Sequence, residues 1–241
     1  TVEDSAKTID LLALPGKPSC AQALQKKPSS LLIHMCIESP IGEVDPQIKD
    51  AVLQVAKILE KQGHRIVEVP PIHSSISEFL PIWQYNVAQI PSMFEKVLQP
   101  VTRWLREEGR KVSLEQAQAL QRSFCDRIDD FIGSADIVLS PTVGITTPKV
   151  GAYDLPDPKE AFYAAALLGT FTISFNLLQA PAASIPFGLD KKGLPIGIQI
   201  GSRPGNDGLI FALSRQLEQI MPWKHRKPNG YFEKRIKTKV S

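Results

Sequence analysis

The chain has 241 residues, 43% of them apolar, which is enough for one sizeable core or two small ones. Its formal charge of +3 comes from residues 222–241, which hold seven of the 28 basic side chains and one of the 25 acidic ones; the rest carries 21 against 24, a net of −3. The body therefore lacks the basic face that a nucleic acid needs, and no apolar run approaches the roughly 20 residues that span a membrane.

Residues 1–221 read as the globular body and 222–241 as a solvated basic tail. Cys20, Cys36 and Cys125 are few and scattered, fitting neither a metal-ligand spacing nor a disulfide framework. A reducing cytoplasm is the expected setting. Thr1 to Leu14 is amphipathic and carries Glu3, Asp4 and Asp10, which does not read as a signal peptide.

In chain order, Thr1 is an N-cap, and Val2, Ala6, Ile9 and Ala13 follow at helical spacing until Pro15-Gly16. Residues 17–30 read as a polar loop, and Leu31 to Ile37 as a buried strand. Asp45-Pro46 starts a helix whose stripe is Ile48, Val52, Val55, Ala56 and Leu59, with Gly63 as the stop. Arg65 to Val69 is a second strand. Strand, helix and strand in about 40 residues predict a parallel βαβ crossover.

Residues 74–112 read as helices broken by Pro81, Pro91 and Pro100, with an aromatic group of Trp83, Tyr85, Met93, Phe94 and Trp104. Such a group is more often core than pocket. Ser113 to Phe131 is a long helix, with a capping box from Ser113 to Gln116 and a buried face of Leu114, Ala117, Leu120, Phe124 and Ile128. Asp136 to Pro148 is a strand entering a proline-bounded loop, and Lys159 to Gly169 is a short helix.

The runs Ala182–Pro186 and Ile196–Gly201 are short and apolar and are joined by the turn Asp190-Lys191-Lys192-Gly193. They predict paired strands covered on both faces. Arg203 to Asp207 opens a last helix with Leu209, Ile210, Leu213, Leu217 and Ile220 inward.

The stretch Phe171 to Gly201 resembles the C-terminal signature of the amidase signature family, serine hydrolases of amide bonds. The resemblance rests on Phe171, Thr172, Asn176, Leu177, Pro181, Ala182, Ser184, Pro186 and Gly188, then Gly193, Leu194, Pro195, Gly197 and Gln199. Thr1-Val2-Glu3-Asp4, Glu38-Ser39-Pro40, Gly109-Arg110 with Ser113, and Asp136, Leu139, Pro141 and Thr142 also match the family. Ala180 and Leu178 depart from it, standing where a glycine and a small hydroxyl residue are usual.

The resemblance implies an α/β fold, the C-terminal part of the amidase signature fold, with a mixed β-sheet flanked by helices. It implies that the family's nucleophilic serine, second serine and lysine base precede Thr1. No catalytic residue carries over to this chain. Ser29-Ser30 and Ser74-Ser75 lack flanking glycines and read as solvated loops. There is no G-x-S-x-G elbow, P-loop or H-E-x-x-H. His34 with Cys36 invites a thiol nucleophile, but a core strand that contains both accounts for them.

Expected substrate-side residues are Trp83, Tyr85 and Phe171 on the pocket wall, with Thr172 and Asn176 positioning the loops. The implied partners are a small amide substrate and either the N-terminal amidase segment or a second copy of the chain. No cofactor or metal is implied. Two other readings stand beside this one: a non-catalytic remnant or binding module, and a subunit related to the amidase chain of the tRNA-dependent amidotransferases. Gly109-Arg110 favours the bacterial stand-alone amidases.

Overall fold

The computed structural model describes residues 1–92 and 95–226. Met93 and Phe94 of the aromatic group and the basic tail beyond residue 226 lie outside the described residues.

Five strands form one mixed sheet: β1 (Leu32–Met35), β2 (Arg65–Glu68), β3 (Ile137–Pro141), β4 (Ala182–Leu189) and β5 (Pro195–Gly201), in the order β2-β1-β3-β5-β4. The first three run parallel, with Ile33 beside both Ile66 and Ile137. The β4–β5 hairpin is added antiparallel through β5 against β3. Nine helices flank the sheet among the described residues: α1 (Val2–Leu12), α2 (Cys20–Ala23), α3 (Pro46–Lys61), α4 (Ile76–Gln89), α5 (Pro100–Gly109), α6 (Leu114–Ile132), α7 (Pro158–Ala164), α8 (Ile173–Leu178) and α9 (Asp207–Ile220).

The β1–α3–β2 unit is the parallel crossover that the spacing predicts. Asp45 caps α3 through the Gln47 N–H, with Pro46 in the first turn, where a missing N–H costs nothing. The two-residue period of β3 divides the core. Ile137 and Leu139 face α3 and α9, whereas Val138 faces α6 and α8 with Phe124, Ile128 and Phe175. Leu213, Ile198 and Ile200 are fully buried in the first layer. Each such side chain stabilises the fold by about 1.5–3 kcal/mol.

Several expectations change. Residues 17–30 are not all loop: α2 forms there because the Asp10 carboxylate accepts from the Ser19 hydroxyl and from the Cys20 and Ala21 N–H groups. Pro81 does not break a helix; α4 runs straight through it. The proline removes one backbone donor, and burial of Leu80, Ile82 and Gln84 outweighs that local loss. Ser113 accepts from the Gln116 N–H, which is one half of the expected capping box.

Of the two hairpin strands, only β5 is covered on both faces. β4 is an edge strand with Ala182, Ser184 and Pro186 exposed, and it has a bulge between Pro186 and Gly188. An edge position suits Pro186, which has no N–H to give a second neighbour. The turn between the two strands is held by Asp190, whose carboxylate accepts from the Lys192 and Leu194 N–H groups at 2.8 Å each. On α1, Val2 and Ala6 are buried, but Ile9 is exposed, as are Leu11, Leu12 and Leu14 beyond it. Leu114 and Ile220, expected inward, are also exposed.

Candidate active site

Helices α4, α6, α7 and α8 and the loops at Pro40-Ile41 and Ser74-Ser75 line a cleft of about 220 Å³. α4 contributes Ile76, Phe79 and Trp83; α6 contributes Phe124; α7 contributes Phe162; the chain from Ala165 to Asn176 closes the other side. Phe79 and Trp83 are four residues apart, so they share one helical face, with ring centroids at 5.8 Å. Phe162 reaches the cleft from α7 and packs on Trp104 of α5 at 5.9 Å. A smaller cavity of about 60 Å³ lies behind it, sharing Phe124, Thr170 and Ile173 and adding Cys36, Ser140 and Phe171.

The structure brings Trp83, Thr172 and Asn176 together in the larger cleft. Trp83 is 42% exposed at the wall. The Thr172 hydroxyl donates to the Gly169 carbonyl at 3.1 Å, and the Thr170 hydroxyl donates to the Ala166 carbonyl at 3.2 Å. Both therefore offer acceptor lone pairs to the cleft. The Asn176 carboxamide lies exposed at the rim, with no hydrogen-bond partner for its side chain among the described residues. Phe171 lies deeper, buried in the sheet-side core and lining the small cavity. Tyr85 lines neither cavity. It stands two residues past Trp83 on α4, which turns it to a different face.

Gln199 has a site role that its place in the motif did not reveal. From β5 its buried side-chain amide donates to the Phe171 carbonyl at 2.9 Å and to the Ser140 hydroxyl at 3.2 Å. It thereby fixes the start of the Phe171–Asn176 segment against the sheet. Phe79 and Phe162 were also missed. The i, i+4 spacing of Phe79 with Trp83 was a usable signal, but nothing local marks Phe162.

His34 and Cys36 form no nucleophilic pair. The His34 Nδ1 is 3.1 Å from the Phe131 carbonyl, and the Cys36 thiol is directed at the Glu38 carbonyl at 3.4 Å. Burial pushes the Cys36 thiol up to about 11. At pH 8 only about one thiol in a thousand is then ionised. Alkylation of Cys36 by iodoacetamide, followed by mass spectrometry, should be far slower at pH 8 than that of a free thiol. Rapid labelling would contradict this environment.

The wall helix α4 is anchored at its end by Arg106 of α5. This buried guanidinium donates to the Val87 carbonyl at 2.9 Å and to the Ile90 carbonyl at 2.6 Å, and pairs with Glu95 at 3.1 Å. Arg110 also contacts Glu95. Hydrogen bonds from Arg106, with the charge of Arg110 adding to them, hold the Glu95 carboxyl below its usual range. The pairing is complete above the ordinary glutamate pKa and is lost as pH falls through the lowered one. Arg106→Ala should cost about 2–3 kcal/mol by urea unfolding, because two carbonyls lose a charged donor. Arg106→Lys should restore part of that.

The Amidase family model matches residues 3–211. The 6-aminohexanoate-cyclic-dimer hydrolase of Paenarthrobacter ureafaciens is 27% identical over 95% of this chain and 54% of its own length. The acylamidase of Rhodococcus erythropolis is 24% identical over 95% of this chain and 52% of its own. A solved structure of 6-aminohexanoate cyclic dimer hydrolase superposes with a TM-score of 0.82 at 23% identity, over 95% of this chain and 55% of that one, which shows the shared fold. The chain spans about half the length of the curated relatives it matches. With the family model matched across most of the α/β body, this chain belongs to the amidase signature family.

Proposed function

We propose that residues 1–221 are the C-terminal portion of an amidase, a hydrolase of carboxylic amide C–N bonds, and that residues 222–241 are a basic tail. The observation that carries this reading is the cleft. Thr172 and Asn176 of the family-matched segment meet the aromatic wall of α4 there.

In this reading the serine nucleophile, the second serine and the lysine base come from an N-terminal portion. A serine hydroxyl is weak at neutral pH and needs a relay to a base. Backbone N–H donors then hold the tetrahedral oxyanion. The chain described here supplies one wall of the acyl pocket. Trp83 touches substrate, Thr172 and Asn176 form its polar rim, and Phe171, tied to Gln199, positions the loop. The three free cysteines suit a reducing compartment such as the cytoplasm, and no helix among the described residues is long and apolar enough to cross a membrane.

Two surfaces suit contact with the N-terminal portion or with a second copy. One is the apolar end of α1, where Leu11 is 86% exposed and Leu12 77%. The other is the outer edge of β4, beside a groove of about 460 Å³ running from Thr142 to Pro148. Unpaired edges and apolar patches of this kind favour association. The chain by itself should therefore dimerise or aggregate.

The deciding experiment supplies the N-terminal segment of a family relative, or of the parent protein, in trans. The expected result is no amide hydrolysis by either piece and hydrolysis by the pair. A well-formed complex that stays inert to a panel of amides would remove the enzymatic reading and favour a binding module.

A further inference from the structure

The aromatic cleft beside α4 has a chemical character that the amidase reading does not specify. Among the described residues no titratable side chain lines it; its polar side chains are the hydroxyls of Ser74 and Ser75 just before α4 and, in the Thr170–Asn176 segment, two threonine hydroxyls and one carboxamide. Phe79, Trp83, Phe124 and Phe162 make up much of the rest. We propose that this cleft binds an uncharged aromatic group of the substrate, with the adjoining amide at the Thr170–Asn176 rim, and that it rejects substrates charged at the ring. The inference rests on the amidase reading for the word substrate; the binding preference itself does not depend on it.

Size and charge both support the assignment. A dry apolar cavity of about 150 Å³ holds a benzene ring. The cleft, at about 220 Å³, has room for a ring and its first substituent. Aromatic walls favour an aromatic guest through offset and edge-to-face contacts. A carboxylate on that guest would leave water for walls that carry no cationic side chain, which is costly; Arg127, outside the lining, is paired with Glu78 at 3.5 Å.

A cation could in principle sit over the rings. However, one face of Phe124 is already covered by the Arg127 guanidinium at 4.4 Å, and no carboxylate lines the cleft to pair with a second cation. At the rim, the Thr170 and Thr172 hydroxyls give their hydrogens to backbone carbonyls and so accept from an amide N–H. The Asn176 carboxamide can donate to the amide carbonyl.

The test is ligand binding to the full chain, alone and paired with an N-terminal segment, followed by tryptophan fluorescence and calorimetry. The probes are acetanilide, 4-acetamidobenzoate, the 4-trimethylammonium analogue of acetanilide, and acetamide. Acetanilide should bind at least about tenfold more tightly than each of the other three. Trp83→Ala, at a partly exposed position, should weaken acetanilide binding about fivefold or more, as should Ala166→Leu, which fills the cleft. Tyr85→Phe should leave it unchanged.

Equal or tighter binding of either charged probe would overturn the inference. So would acetanilide binding that neither cleft variant alters, or no acetanilide binding in either form. If the pair fails to hydrolyse amides but acetanilide still binds as expected, the amidase reading falls and the cleft assignment stands. If hydrolysis is restored without a preference for neutral aryl amides, only the cleft assignment falls.

Discussion

Replacing Gly109 with alanine should destabilise the protein by about 3 kcal/mol or more and lower its melting temperature by roughly 6–12 °C. Gly109 ends α5 where that helix crosses α4. A Cβ built there would lie 1.9 Å from the Gln84 carbonyl oxygen, 2.4 Å from its carbon and 2.9 Å from the Ala88 Cβ. A backbone oxygen inside a helix cannot rotate aside, so the two helices must move apart by more than an ångström. α4 carries Phe79 and Trp83, so the aromatic wall would move with it. Trimming the other contact with Ala88→Gly should not rescue the variant, because the clash with Gln84 remains. Full recovery in the double variant, or an unchanged melting curve for Gly109→Ala, would show that the helices are not in this close contact.

Gly201→Ala is the second large effect, and its expected signature differs. Gly201 pairs with both Val138 and Ala182 in the sheet, and a Cβ there would fall 2.1 Å from the Phe175 ring. Phe175 is buried on α8 among Ile128, Ile132 and Leu177, so its ring has no free space to enter. The expected cost is about 2–3 kcal/mol, together with displacement of α8, of its N-cap Thr172 and of Asn176 within it. Here the obstacle is a side chain, so truncation should relieve it. Phe175→Leu combined with Gly201→Ala should be less destabilised than the sum of the single changes, measured as a coupling in a double-mutant cycle. Strict additivity would mean that the two residues do not touch.

Both glycines stood in the sequence without a visible reason. Gly109 was legible only as part of a family pattern with Arg110. The structure shows that the glycine permits a helix crossing and that the nearby buried arginine, Arg106, holds the end of α4. In each case the deciding partner, Gln84 or Phe175, lies 20 to 30 residues away in the chain, beyond the reach of any local pattern.

Much of the fold was written in short-range signals. The crossover of β1, α3 and β2 follows from Asp45-Pro46, a stripe of 3.6 period and Gly63, because capping and periodicity act within one helix. The hairpin follows from Asp190 to Gly193 between two apolar runs. α9 follows in the same way from the Arg203–Asp207 turn and its Leu213 and Leu217 face. Of the Phe171–Asn176 segment singled out by sequence, Thr172 and Asn176 line the cleft, whereas Phe171 lies behind it.

Other features required the folded chain. Pro81 lies within α4 because burial of Leu80 and Ile82 outweighs one lost backbone bond. β4 is an edge strand, although its apolar content reads like that of β5; strand order depends on which neighbour is available, and only packing decides that. Trp83 and Tyr85 looked equivalent by sequence, yet the turn of one helix separates them, placing one in the cleft and the other outside it. Phe162 and Gln199 joined the site from α7 and β5, brought there by long-range contacts with Trp104 and Phe171. The amino-acid order determined the elements and the family, since turns, caps and periodicity are local interactions. The uncharged cleft was decided only in three dimensions, because its walls come from segments 40 to 100 residues apart, and only burial of their common core draws them together.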